Sequence, residues 1–66
     1  MVDDARVALL GRLDAGLAAA RELLGKDLRG GLKELKQLYR RCVLARHPTG
    51  AALALNHQSQ AYAAMG

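Results

Sequence analysis

Leu10, Leu13, Leu17, Ala20 and Leu24 recur at spacings of 3, 4, 3 and 4. A chain with this rhythm can gather those side chains together only by winding them onto one face of a helix. Asp3 is the expected N-cap, its carboxylate accepting from free N–H groups of the first turn, and Asp4 adds favourable charge at the positive end of the helix dipole. Gly25 is expected to stop this first helix. Gly11 and Gly16 each cost about 1 kcal/mol relative to Ala inside a helix, so they mark either a close helix approach or a helix that is weak alone.

A second amphipathic pattern follows, with Leu32, Leu35, Tyr39 and Cys42 on one face, Leu38 extending it, and Lys33, Lys36, Arg40 and Arg41 turned towards solvent. Pro48 biases His47 away from helical backbone and closes the pattern. Thr49 is the expected cap of a third helix from about Gly50 to Met65, with Leu53, Ala61, Ala64 and Met65 as its core contacts. Asn56 to Gln60 interrupts that apolar pattern. There is no Val/Ile/Thr-rich run of period two. The expectation is an all-α single domain: a long first helix over 1–25, a linker over 26–31 in which Gly30-Gly31 reverses the chain, a second helix over 32–47, and a turn plus third helix over 48–66 that folds back on the second as an antiparallel hairpin.

With 66 residues, the chain has one thin core, because a domain of this size buries only about 60% of its unfolded surface. A partner or self-association would therefore add to its stability. Cys42 is the only cysteine, which excludes an internal disulfide and a paired-thiol metal site and fits a reducing cytoplasm. No apolar run approaches the ~18 residues of a membrane span, and the acidic start is unlike a leader sequence, so no membrane association and no processed segment are expected.

Charge is unevenly placed. Residues 26–46 hold Lys26, Arg29, Lys33, Lys36, Arg40, Arg41 and Arg46 against only Asp27 and Glu34, whereas 47–66 contain no Asp, Glu, Lys or Arg. An uncharged stretch of that length is expected to pack against something, and the basic middle calls for an acidic partner, protein or nucleic acid. Nucleic acid is the lesser alternative: there is no Trp or Phe, the two tyrosines read as core, and nothing offers a base-stacking platform.

Leu35-Lys36-x-x-Tyr39-Arg40-Arg41 followed by His47-Pro48 resembles the second helix and signature turn of a J-domain, the module through which J-proteins engage heat-shock ATPase chaperones. Leu23-Leu24-Gly25 stands where that family closes its first helix, and Ala61-Tyr62-x-x-Met65 where its third helix carries Ala-Tyr-x-x-Leu. The resemblance covers roughly residues 20–66 in four short pieces. It implies a partner-binding face of Lys36, Tyr39, Arg40, Arg41, His47, Pro48 and Thr49. It also implies a chaperone-class partner with an acidic surface, and no cofactor or metal. Thr49 stands where the family has Asp, and a hydroxyl cannot make the charge-assisted contact with an arginine that triggers ATP hydrolysis. His47 to Tyr62 is also shorter than the family's corresponding stretch and lacks its charged loop, and the first helix is longer. The implied role is a degenerate J-like scaffold, regulator or co-chaperone.

Short Ala/Leu/Gln-rich helical chains with a Gly or Pro break are similar as well to the small cytoplasmic co-chaperones of type III secretion needle subunits. In that reading the apolar helix faces carry the binding, through Leu53, Leu55, Gln58, Ala61 and Met65. Catalysis is not expected. Cys42 falls on an apolar face, where a thiol is inert, Ser59 lacks a nucleophile context, Asp3-Asp4 reads as a cap, and His47 and His57 have no further ligands at metal spacing.

Overall fold

The computed structural model describes residues 4–66 as three helices: α1 (Asp4–Leu24), α2 (Leu28–Leu44) and α3 (Pro48–Ala64). No strand occurs among the described residues. The expected Asp3 cap lies outside them. α2 packs on both neighbours, forming the antiparallel hairpin with α3 and a second antiparallel pair with α1, while α1 and α3 touch along a shorter stretch.

The α1 stripe is buried as its spacing requires. Leu13, Leu17 and Ala20 join Leu35, Leu38 and Cys42 of α2 and Ala54 of α3 in one core, with Leu10, Leu24 and Tyr39 packed at its edge. Leu17, Leu35 and Cys42 are fully enclosed; burying a leucine of this kind contributes about 1.5–3 kcal/mol.

The first connection is shorter than expected, and Gly30-Gly31 is not the reversal. α2 begins at Leu28 because Asp27, in extended backbone, accepts from the Gly30 N–H through Oδ1 at 3.0 Å, satisfying one of the orphan donors of the first turn. Gly31 is needed for close approach. A Cβ there would lie 2.7 Å from Leu24 Cδ2 and 2.8 Å from the Leu24 backbone nitrogen. Gly16 also sits at a helix contact, with Leu38 Cδ2 3.0 Å from where its Cβ would be, whereas Gly11 faces open space.

α2 ends at Leu44, two residues before Arg46, in a paired hydrogen-bond stop: His47 N–H donates to Cys42 O at 2.8 Å and Arg46 N–H to Val43 O at 3.1 Å. Arg46 takes the left-handed backbone this arrangement requires, with φ 55°. Arg6 from the first turn of α1 reaches the same place, donating to Ala45 O at 2.9 Å and Arg46 O at 3.1 Å. It thereby puts a cation on the negative end of the α2 dipole.

α3 starts two residues earlier than expected. Its N-cap is His47, not Thr49, and Pro48 occupies the first turn, where a missing N–H costs nothing. Its buried seam is Gly50, Ala54, His57 and Ala61; Ala61 is the one expected core contact in it. Leu53, Ala64 and Met65 are exposed instead. The reason is steric: α3 lies so close to α2 that a Cβ on Gly50 would collide with the His47 ring and sit 2.8 Å from Cys42 Sγ. Only small side chains fit beneath it. His57 is the exception, 5% exposed and with Nδ1 lacking a hydrogen-bond partner among the described residues.

The assembly is elongated, 47 × 18 × 13 Å with a radius of gyration of 12.3 Å, against about 11 Å for a compact globule of this length. No described helix is long and apolar enough to cross a membrane.

Candidate protein-binding surface

The expected partner-binding residues do not share one face, those on α2 being spread by its turn of about 100° per residue. Tyr39, His47 and Pro48 come together, lining a shallow apolar cleft with Cys42, Val43 and Leu55 where α2 ends and α3 begins. Arg40 borders it beside Tyr39 and Val43. Arg41, one residue on and about 100° round the helix, lines the groove between α1 and α2 instead. Thr49 is exposed at the start of α3.

The His-Pro turn is engaged internally. His47 Nε2 lies 2.9 Å from Asp14 Oδ1 of α1, and the two side chains are 14% and 62% exposed. This contact ties α1 to the start of α3. It leaves Pro48, not the imidazole, as the accessible part of the turn. Asp14 interrupts no apolar stripe, so nothing in the spacing of α1 singles it out as a partner for a residue 33 positions away.

Lys36 and Arg40 belong to a larger set. Arg29, Lys33, Lys36 and Arg40 are spaced 4, 3 and 4 residues apart and are all exposed, so they form one stripe within an arc of about 60° along α2. None of the four pairs with a carboxylate among the described residues. Lys36 Nζ lies 5.8 Å from the centroid of the Tyr62 ring on α3, a cation–π contact at an exposed site. The heptad spacing of Arg29 with the other three was open to reading in the sequence. It was hidden by the expected linker, which placed Arg29 outside the helix.

Local stability does not account for the first cation of the stripe. Arg29 stands in the first turn of α2, which holds no acidic residue after the Asp27 cap, so its charge works against the helix dipole. A solvent-filled surface would be served as well by glutamates there.

Cys42, His47 and Asp14 come together at the start of α3: a Cβ on Gly50 would lie 2.8 Å from both Cys42 Sγ and His47 Nε2, and that nitrogen is 2.9 Å from Asp14 Oδ1. Cys42 is fully buried between Gly50 and the core, and its thiol is pushed above the ordinary value of 9.0 by burial first and by the negative charge of Asp14 second. A thiol held protonated in this way is a poor nucleophile. Among the described residues no group of three or more His, Cys, Asp or Glu side chains is arranged to hold a metal. What the surface offers is a positive stripe, an apolar cleft at the turn, and an uncharged third helix with Leu53, Leu55 and Tyr62 partly in solvent. In comparisons with known proteins, no family, no characterised protein and no solved structure matches the chain.

Proposed function

We propose that the chain is a non-catalytic protein-binding module, a degenerate J-like co-chaperone or regulator, that docks the basic stripe of α2 on the acidic surface of a heat-shock ATPase chaperone in the cytoplasm. The observation that carries the reading is the row of four exposed cations, Arg29, Lys33, Lys36 and Arg40, left without carboxylate partners among the described residues. Such a row steers an acidic partner and fixes its register along the helix. The apolar cleft at Tyr39 and Pro48 sits at the end of the row, where a partner side chain would find cover from water. Thr49 supplies no carboxylate and His47 is held by Asp14, so the module binds without triggering ATP hydrolysis.

The test is binding of the purified chain to a purified heat-shock ATPase chaperone at low salt, with ATPase rate as a second readout. The Lys36→Glu/Arg40→Glu variant is expected to lose at least about tenfold in affinity, and Arg41→Glu, in the groove between α1 and α2, to bind as wild type. Equal affinity for the double variant and wild type would remove the reading.

A second reading, a needle-subunit co-chaperone of type III secretion, draws on one specific observation. α3 is free of charge over its 17 residues, yet leaves Leu53 42% exposed and Leu55 50% exposed. There Leu53→Asp would abolish binding of a secretion subunit and leave the fold intact, while the basic-stripe variant would bind normally. Nucleic acid would announce itself by a steep fall in affinity with salt.

A further inference from the structure

We infer that the chain pairs with a second copy of itself through the groove between α1 and α2, about a two-fold axis passing near Gly16 and Leu38. The groove has a floor of Leu13, Gly16, Ala20 and Leu38. Gly16 and Leu38 touch at its middle, where the axis would pass. Its rim carries Leu9 and Leu44, the latter 84% exposed, a large apolar side chain with no cover in the single chain.

The charges on the rim identify the occupant. α1 and α2 run antiparallel, with Arg6 beside Ala45 and Leu24 beside Gly31, so Arg12 and Arg41 mark one end of the groove and Glu34 the other. Glu34 and Arg41 stand one turn to either side of Leu38, about 10 Å apart along the helix. Rotation of a second copy by half a turn about Leu38 lays its Glu34 against Arg41 and its Arg41 against Glu34. It also brings Leu44 level with Leu23 of the second copy. This is the self-complementarity an isologous interface demands: one pair of contacts made twice. An acidic partner would meet Glu34 at one end, and a basic partner would meet Arg12 and Arg41 at the other. A copy of the chain satisfies both. The cations of the α2 stripe lie on a different side of the helix and stay open in the pair, so the inference stands independently of the function proposed above.

The experiment is sedimentation equilibrium, with light scattering on a sizing column, on the full chain and three variants: Glu34→Arg, Arg41→Glu, and the two combined. Both side chains are exposed, and circular dichroism checks that helicity is kept. Wild type is expected to dimerise. Each single variant sets like charges against each other twice across the axis and is expected to raise the dimer dissociation constant at least about tenfold. The combined variant restores opposite charges and is expected to return to within about threefold of wild type. Leu44→Asp is expected to be monomeric. A wild type that stays monomeric up to about 1 mM, single variants that dimerise unchanged, or a combined variant that remains as weak as the singles would each overturn the inference.

Discussion

Arg46 holds a left-handed backbone, φ 55°, at the position after α2 where glycine is the usual occupant. Among the described residues its side chain makes no bond that requires arginine there, since the contacts in this turn use its backbone N–H and carbonyl. Arg46→Gly is therefore expected to stabilise the fold by about 1 kcal/mol, raising the thermal midpoint by about 4–8 °C; a midpoint that falls would contradict this account of the turn. Glycines supply a paired contrast. Gly11→Ala, in open space on α1, is expected to stabilise by about 0.5–1 kcal/mol. Gly50→Ala, driven against the His47 ring and Cys42 Sγ, is expected to destabilise by about 1–3 kcal/mol. Urea melts of both variants decide the matter. The buried Cys42 thiol adds a pH signature. Its folded value lies above the ordinary 9.0, so above that pH the unfolded chain loses the thiol proton first. Stability is then expected to fall as pH rises past 9.0, and Cys42→Ala to remove that part of the slope.

Each helix owes its ends to different chemistry, and the ends were the least legible part of the sequence. The α1 stripe and the apolar face of α2 could be read from leucines alone, because large side chains at 3 and 4 spacing have one way to be buried together. The start of α2 was missed because Gly30-Gly31 reads as a break in any local rule; it is the crossing of Leu24 over Gly31, a tertiary fact, that makes glycine fit a helix. The phase of α3 was missed for a related reason. Its seam is built of Gly50, Ala54 and Ala61, small residues that a search for large apolar contacts passes over in favour of Leu53. Of the candidate site, Lys36 and Arg40 were legible as a positive face. The departure of Arg41 from that face follows from a rotation of about 100° per residue, but which side α1 would cover could not be read. Two end effects are open to measurement. Arg6→Ala, by freeing Ala45 O and Arg46 O, is expected to cost about 0.5–1.5 kcal/mol in denaturant stability. Thr49→Asp puts a carboxylate in the first turn of α3, which has none, and is expected to stabilise by about 0.3–1 kcal/mol at low salt and less at high salt.

The whole molecule is a rod 47 Å long with a thin core, and its three surfaces differ in chemistry. The groove of α1 and α2 has opposite charges at its two ends, which suits a second copy. The side of α3 is uncharged and partly apolar. The outward side of α2 is positive and unpaired among the described residues, and the proposed function rests on it. These surfaces lie on different sides of the rod, and the stripe meets the side of α3 at the Lys36–Tyr62 contact. The most direct test is amide chemical-shift mapping of the labelled chain titrated with a purified heat-shock ATPase chaperone at low salt. The account predicts shifts along Arg29, Lys33, Lys36 and Arg40, extending to Tyr62 through its contact with Lys36, with Glu34 and Leu23 unmoved. Shifts confined to the α1–α2 groove or to Leu53 and Leu55, or no shifts at saturating chaperone, would contradict it.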